Sequence, residues 1–336
     1  MKKAGKILLF TLTFILLLLM AAISFTVGWR PFIGARTRPT TSKTFERSPE
    51  RLARGRYLVT GLVGCELCHT LKDWNTHGAP NVSGKELAGQ VLPVPGLPGR
   101  IVASNLTPDA ETGGGSWSDD QFARAIREGI GHDGRTIFPM MPYSAYRQIA
   151  DEDLASIVVY LRSVPPVRNL LPPTEVSFPV NYLVRNAPEP VTEPVSGPGP
   201  QADPVTRGKY LAAIGCGCHV AADQKGPIPG LEYGGGESLK GPWGEVTSPN
   251  ITSDPTGISY YDDALFIRAL RTGYVNARKL SSIMPFGEFA NLTNDDLKAI
   301  FAYLQTLPPV KHRVDNSLPP TYCKVCRQKH GAGDKN

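Results

Sequence analysis

Two cysteines and a histidine stand close together at Cys65, Cys68 and His69, in the order Cys-x-x-Cys-His. Thiols at this spacing lie on one face of a short turn, so they can add across the two vinyl groups of a haem. The adjacent histidine then supplies an imidazole nitrogen beneath the iron. Two alternatives use the same residues: they could supply part of a zinc site, or the cysteines could form a disulfide next to an unrelated histidine. The spacing favours the haem interpretation.

A second cluster reads Gly215-Cys216-Gly217-Cys218-His219, with only one residue between the cysteines. Three outcomes are open. Both thiols bond a haem, helped by the backbone freedom of Gly215 and Gly217; or Cys218 alone bonds it; or the site holds no haem. We expect a bound haem, with Cys218 as the preferred attachment.

Methionine is scarce, with five in the chain, yet Met141 and Met284 occupy matching positions. Each is followed by a proline and an aromatic residue, just before a predicted helix. A methionine thioether opposite histidine is a common sixth ligand of haem iron, although methionine also fills cores. We predict that Met141 pairs with His69 and Met284 with His219. Met140 is a local competitor, but only Met141 aligns with Met284.

The two clusters belong to an internal repeat, because a series of short motifs recurs in the same order. The matched segments are residues 55–58 with 208–211, 104–107 with 249–252, 125–129 with 269–273, 141–143 with 284–286, and 160–161 with 303–304. We expect domains at residues 49–167 and 204–312. A Pro-rich, semi-rigid linker would fill 168–203, and a Cys-containing tail 313–336.

The helical periodicity of both repeats predicts an all-α fold. Ser118 begins a capping-box pattern and Gly129 ends that helix, while Thr293 begins a similar pattern in the second repeat. The last helix of the first repeat is predicted at residues 151–164, stopped by two prolines. No alternating strand pattern of comparable strength is present.

The N-terminal segment, residues 1–30, predicts a membrane anchor. Residues 7–29 carry no charge and follow three lysines, and about 20 apolar residues are needed to cross a bilayer. A cleaved signal peptide is the alternative, since residues 22–24 form a small-x-small triplet. The net charge of +6 is scattered, so nothing indicates nucleic acid as a partner.

Both repeats resemble class I cytochrome c domains, particularly those of membrane-bound cytochrome c subunits of bacterial alcohol and gluconate dehydrogenases. The resemblance is carried by residues 55–58, 65–69, 104–109, 112–113, 117–120, 124–129, 141–143 and 160–162. It implies two all-helical domains after the transmembrane helix, haem c with His69 and Met141 as axial ligands, and one-electron transfer. It also implies a single-pass protein of the bacterial inner membrane with its haem domains in the periplasm. Those subunits usually have three such domains, whereas this chain has two repeats.

Other candidates lie outside the repeated motifs. Cys323 and Cys326 lack a following histidine and predict a disulfide, although His330 makes a metal site conceivable. The remaining residues are loop or surface candidates: His77 and His312; His132, also a rival axial ligand; and Arg100 and Arg135, which could pair with haem propionates.

The leading functional hypothesis is electron transfer by two haem c groups, without substrate chemistry. Iron with both axial positions filled offers no open site, so we expect a carrier, or an electron-transfer subunit, rather than an enzyme. Its partner would be a dehydrogenase or a respiratory complex. A dihaem enzyme of the peroxidase or thiosulfate-oxidising type, using the irregular second site, is the alternative. A zinc or thiol redox protein is a third hypothesis.

Overall fold

Helices make up most of the regular structure in the computed structural model, which describes residues 2–223 and 226–331. Two of them continue into tighter or wider turns: the helix at Val180–Leu183 into a 3₁₀ turn at Val184–Asn186, and the helix at Pro49–Tyr57 into a π-turn at Leu58–Leu62. The helices are α1 (Lys2–Phe25), α2 (Arg30–Ile33), α3 (Pro49–Tyr57), α4 (Cys65–His69), α5 (Asp119–Glu128), α6 (Tyr143–Tyr146), α7 (Asp151–Leu161), α8 (Val180–Leu183), α9 (Pro204–Gly215), α10 (Asp263–Thr272), α11 (Phe286–Phe289) and α12 (Asn294–Thr306).

Short antiparallel strand pairs qualify the all-α expectation. Most strands have two residues, too short for an alternating pattern to show in the sequence. The pairs within the described residues are β1 (Gln90–Val91) with β3 (Val102–Ala103), β2 (Gly99–Arg100) with β4 (Glu175–Val176), β5 (Ala222–Asp223) with β6 (Gly226–Pro227), β7 (Ser238–Gly241) with β8 (Gly244–Thr247), β9 (Tyr274–Val275) with β10 (Arg278–Lys279), and β11 (Thr321–Tyr322) with β12 (Lys329–His330).

Local capping determines where several helices begin and end. The Ser118 hydroxyl accepts from the Gln121 amide and the Gln121 side chain accepts from the Ser118 amide, so the predicted capping box of α5 is confirmed. Gly129 ends α5 in the left-handed conformation, also as predicted. At α12, Thr293 accepts from the Asp296 amide. Helix α7 ends at Leu161, three residues earlier than predicted.

The same helix pairing occurs in both repeats: α3 packs on α7, and α9 packs on α12. Each crossing is closest at a glycine. A Cβ at Gly55 would lie 2.0 Å from the Ser156 carbonyl oxygen, and one at Gly208 would lie 1.8 Å from that of Ala299. The close approach explains why the repeated motif around residues 55–58 and 208–211 contains glycine.

The buried core runs without a break from one repeat into the other. Its members include Leu58 and Ile157 from the first repeat, and Leu211, Leu297 and Leu304 from the second. The π-turn after α3 touches both α9 and α11. The two repeats therefore share one hydrophobic interior in this structure.

Helix α1 lies apart from this core, and its large apolar side chains are exposed along its length. By length and composition it is able to cross a membrane, a test that signal sequences also pass. The segment at 168–203 lies along the first repeat, where β4 pairs with β2 and Asn169 donates to the Ala88 carbonyl at 2.9 Å. Its Arg185 donates to the Pro31 carbonyl at 3.0 Å, beside the end of α1. Residues 224, 225 and 332–336, from the predicted second domain and tail, lie outside the described residues.

Candidate functional site

The first Cys-x-x-Cys-His motif is the one-turn helix α4, which presents two thiols and an imidazole together. Gly64 precedes it with a left-handed φ of 62°, so the chain reverses sharply after the π-turn. Cys65, Cys68 and His69 are all half-buried, and both thiols are free. The His69 Nδ1 lies 2.7 Å from the Ser104 carbonyl oxygen. This contact makes Nδ1 the protonated nitrogen and leaves Nε2 with a lone pair for a metal.

The second motif reaches the same histidine geometry through a shorter path. His219 follows Tyr210 by 9 positions, whereas in the first repeat His69 follows the equivalent Tyr57 by 12. Helix α9 therefore ends at Gly215, and a 3₁₀ turn at Gly217–His219 follows. The His219 Nδ1 lies 2.8 Å from the Pro249 carbonyl oxygen, and Pro249 is the repeat equivalent of Ser104.

The two glycines of this motif do not supply the backbone freedom that the sequence suggested. Neither Gly215 nor Gly217 has a positive φ. Gly215 is instead closely packed, because a Cβ there would lie 2.7 Å from Leu62 Cδ1 and 3.2 Å from the Leu62 carbonyl oxygen of the first repeat. Gly217 faces open space. Cys218 is exposed and Cys216 is half-buried, so the two thiols occupy different environments.

Burial controls the protonation of these groups. It raises the pKa of Cys65 to about 12 and the pKa of Cys216 to about 12, so both remain thiols at neutral pH. Redox-active cysteine pairs need a lowered thiol pKa, which is the opposite shift. Burial also lowers the pKa of His69 and of His219, which keeps both imidazoles neutral, as iron ligation requires.

The methionine loops have the same backbone in both repeats. The Met141 carbonyl accepts from the Tyr143 amide at 2.8 Å, and the Met284 carbonyl accepts from the Phe286 amide at 2.8 Å. Both methionine side chains pack against the shared core, whereas Met140 is not among the residues that do so. The structure therefore favours Met141 over its neighbour as the counterpart of Met284.

An aromatic residue fixes each methionine loop to the preceding helix. The ring of Tyr143 covers Gly129, where a Cβ would lie 2.6 Å from the ring, and Phe286 covers Gly273 at 2.5 Å. Both glycines have left-handed φ values, 73° and 69°. The glycine thus ends the helix and admits the ring at the same time. This explains why the aromatic residue after Met-Pro is repeated.

Buried asparagines hold the loops whose carbonyls contact the histidines. Asn105, next to Ser104, donates to the Val167 carbonyl at 2.8 Å and accepts from Thr107 at 2.7 Å. Asn250, next to Pro249, does the same with Val310 and Thr252. The sequence marked this segment as repeated without assigning it a role. Its position indicates that it orients the imidazoles.

The two attachment motifs lie beside each other. Burial is the main cause that raises the pKa of Cys68 to about 11, and the nearby Cys218 thiol raises it further. The buried hydroxyl of Tyr146 donates to the Val63 carbonyl at 2.7 Å, close to the thiols of Cys65, Cys68 and Cys218. Groups attached at the two motifs would therefore be near neighbours.

Reciprocal polar contacts fasten the repeats together. In each repeat, an aspartate on the last helix pairs with an arginine of its own repeat and accepts from a tyrosine of the other. The two sets are Asp153 with Arg54 at 2.7 Å and Tyr210 at 2.7 Å, and Asp296 with Arg207 at 2.6 Å and Tyr57. Tyr57 and Tyr210 are equivalent residues, so the contact has approximate two-fold symmetry.

Comparison with known proteins identifies relatives of the chain. The chain is 32% identical over 308 residues to a nicotinate dehydrogenase subunit of Pseudomonas putida, covering 86% of the chain and 24% of that protein. It is 29% identical to the fructose dehydrogenase cytochrome subunit of Gluconobacter japonicus, covering 81% and 56%, respectively. A dihaem cytochrome c-type protein of Cereibacter sphaeroides is 26% identical, covering 74% and 83%. The chain is thus similar to cytochrome c subunits of dehydrogenases and to a dihaem cytochrome c.

The cytochrome spans about a quarter and about half of the lengths of the first two of these relatives. No family model matches its sequence. These relatives match the family that the repeated motifs suggested. In both repeats the contact of the histidine Nδ1 with a backbone carbonyl leaves Nε2 available to a metal.

The three histidines predicted to be loop or surface residues all lie in loops or turns but differ in burial. His312 is 1% exposed and so does not lie at the surface, because the tail folds over it. His77 is half-buried where the two repeats meet, and its ring lies tilted against those of Tyr274 and Phe286, with centroids 4.8 and 4.6 Å away. His132 is exposed and stacks on Trp117, with ring centroids 4.4 Å apart.

The predicted disulfide between Cys323 and Cys326 is wrong for this structure, in which both thiols are free. The turn between β11 and β12 directs them toward His312 and His330 instead. The two arginines considered for propionates have carboxylate neighbours: Arg100 Nη2 lies 2.7 Å from Glu175, and Arg135 Nε lies 3.7 Å from Asp133.

Proposed function

We propose that this cytochrome carries two covalent haem c groups in two tandem class I cytochrome c domains, at residues 49–167 and 204–312, and transfers single electrons between partner proteins. Cys65 and Cys68 would attach the first haem. Cys218, with Cys216, would attach the second. The axial pairs would be His69 with Met141, and His219 with Met284.

The observation that carries this proposal is the duplicated histidine geometry. In each repeat a backbone carbonyl holds Nδ1 of the histidine after the cysteines, and the methionine loop repeats the same backbone. Haem iron between a histidine and a methionine changes reversibly between its ferrous and ferric states. The residues of this chain set the orientation of the imidazole and supply the thioether, which favours a raised reduction potential.

The same ligand sets support a carrier rather than an enzyme. If His69 and Met141 both bound the first iron, and His219 and Met284 the second, neither iron would have a coordination position left for a substrate. The neighbouring attachment motifs support electron exchange within the chain. The close packing of Leu62, before the first motif, against Gly215, at the start of the second, supports a short distance between them.

We further propose that α1 anchors the cytochrome in the bacterial inner membrane as a single pass, with the haem domains in the periplasm. Haem c attachment outside the cytoplasm and the exposed apolar surface of α1 support this placement. Relatives named as dehydrogenase subunits support a dehydrogenase as electron donor, or a respiratory complex as partner. Nothing in the scattered positive charge favours nucleic acid.

The haem count is tested by denaturing mass spectrometry of the full chain. We expect a mass gain of two haems in the wild type, and a gain of one haem in the Cys218→Ser variant. Cys216→Ser is the matched comparison, and retention of two haems there would assign the second attachment to Cys218 alone. A wild-type gain of one haem would refute the dihaem proposal.

Ligand binding separates the carrier from the enzyme. We expect the reduced cytochrome to show six-coordinate spectra and to bind carbon monoxide slowly or not at all, because both axial positions are filled. Rapid binding together with turnover of hydrogen peroxide would instead favour a dihaem peroxidase that uses the second site.

A further inference from the structure

The tail after the second repeat folds back and brings four metal-binding side chains together. His312, Cys323, Cys326 and His330 each offer one ligand atom, and these atoms all lie within 4.8 Å of one another. Two sulfurs and two imidazole nitrogens are a set that favours tetrahedral zinc. None of the four residues takes part in the proposed haem sites.

A single hairpin supplies three of these residues. Cys323 and Cys326 lie in the turn between β11 and β12, and His330 lies on β12. The Cys323 amide donates to the Gln328 carbonyl at 2.8 Å, and the backbone amide of Gln328 bonds the Cys326 thiol. Arg327 follows with a positive φ of 59°. The turn therefore holds both sulfurs close together without a disulfide between them.

His312 completes the set from the end of the second repeat. Its Nδ1 lies 2.8 Å from the Gly234 carbonyl oxygen, and its Nε2 lies 3.4 Å from Cys323 Sγ. A carbonyl bound to one ring nitrogen fixes the tautomer and points the other nitrogen at a metal, as in most metal-ligating histidines. This is the arrangement seen for His69 and His219.

Burial adds a second observation that points to a ligand. Cys326 is completely buried. The Nε2 atom of His330 is also buried and has no hydrogen-bond partner. A buried polar atom without a partner is costly, and a metal ion in the middle of the donor cluster would satisfy it.

We propose that these four residues bind one structural Zn²⁺ ion. Binding would displace the two thiol protons to solvent and form two Zn–S and two Zn–N bonds, with no change of oxidation state. The two thiolates would neutralise the charge of the ion within a buried site. All four positions would be filled by protein, so the site would be structural rather than catalytic.

The zinc site would also support the second histidine of the haem pair. Gly234 and Gly236 both contact the cluster, and the amide of Gly235 between them donates to the His219 carbonyl at 2.8 Å. A Cβ at Gly236 would lie 3.1 Å from both Cys326 and His312. The metal would thus fasten the tail to the loop at Gly235 and Gly236, which contacts the His219 backbone.

Metal analysis of the full-length haem-containing chain, purified without chelators, tests the proposal. We expect one zinc per chain, with zinc K-edge absorption showing two sulfurs at about 2.3 Å and two nitrogens at about 2.0 Å. Zinc-free protein whose intact mass is two hydrogens lighter would show a Cys323–Cys326 disulfide and overturn the proposal. Zinc-free protein with two free thiols would also overturn it.

Variants then assign the ligands. Cys326→Ser and His330→Gln should each lose on the order of ten-fold or more in zinc affinity, measured by competition with a chromophoric chelator. His132→Gln, at an exposed histidine outside the cluster, should retain the wild-type zinc content. Unchanged zinc affinity in both ligand variants would refute the assignment. If a variant does not fold, the wild-type stoichiometry and absorption spectrum still decide the question, independently of the haem count.

Discussion

The buried ion pair between Lys72 and Glu288 is the most direct test of how the two repeats are joined. Lys72 Nζ contacts the Glu288 carboxylate across the boundary between the repeats. Their side chains are 3% and 5% exposed, so neither charge has access to solvent. The pair lies beside the first attachment motif, where both charges act on the Cys68 thiol.

The expected cost follows from this burial. Glu288→Gln removes the carboxylate that contacts the buried Lys72 charge, and losing one partner of a buried ion pair typically destabilises a protein by about 3–5 kcal/mol. That is a large part of the total stability of a domain, about 5–15 kcal/mol. Replacing both residues, as Lys72→Met with Glu288→Leu, removes both desolvation costs. The double variant should therefore be within about 1 kcal/mol of the wild type, or more stable.

Urea unfolding of the full chain in detergent, followed by circular dichroism, measures these differences. A matched control is the exposed pair Arg100 and Glu175, whose side chains are 39% and 66% exposed. Glu175→Gln should cost no more than about 1 kcal/mol. The reasoning fails if Glu288→Gln is as mild as this control, or if the double variant is as unstable as Glu288→Gln alone.

Three further predictions concern single sites. Burial raises the pKa of Asp120, but contacts including the Arg38 guanidinium lower it by more, so the net shift is downward. The ionised carboxylate therefore stabilises the fold above the ordinary aspartate pKa of about 4, and this stabilisation is lost as pH falls through the lowered pKa. Asp120→Asn should make the free energy of unfolding depend less on pH in that range. Gly215→Ala should cost about 1–3 kcal/mol in urea unfolding, because its Cβ would overlap a leucine of the first repeat. Met141→Leu and Met284→Leu should each lower one of two reduction potentials, by on the order of 0.1 V in spectroelectrochemical titration.

Neighbouring positions provide the controls for these variants. Gly217→Ala, where the added Cβ meets open space, should be nearly neutral. Met140→Leu should leave both potentials unchanged. The interpretation of the methionine loops fails if Met140→Leu shifts a potential and Met141→Leu does not. Acid unfolding with the same pH dependence in Asp120→Asn and wild type would show that Arg38 does not stabilise the carboxylate.

Local features of this fold could be predicted from the sequence, because local chemistry determines them. The Ser118 capping box and the left-handed Gly129 need only their immediate neighbours, and both were predicted correctly. The two-residue strands were missed because they are too short for an alternating pattern to show in the sequence. The contact of Tyr57 with Asp296 joins residues more than two hundred positions apart, and no periodic pattern reports it.

The tail cluster shows where a stronger signal was available. Cys323, Cys326 and His330 have the spacing of three metal ligands, but the fourth was missed because His312 reads as part of a polar loop. Only the fold shows that the tail buries His312 and turns its Nδ1 to the Gly234 carbonyl. The sequence does not show that the chain between His312 and Cys323 folds back, because the prolines in it do not specify its direction.

The reciprocal tyrosine contacts change what the Pro-rich segment has to do. If the repeats were independent bodies, the length and stiffness of residues 168–203 would set the distance between the two attachment motifs. In the structure, Tyr57 reaches Asp296 and Tyr210 reaches Asp153, so each repeat completes a polar cluster of the other. Each of these aspartates also pairs with an arginine on the first helix of its own repeat, so a shift of one repeat would disturb both clusters together. The interface, rather than the linker, therefore sets the spacing of the proposed haems, and electron exchange between them should persist when the linker is lengthened.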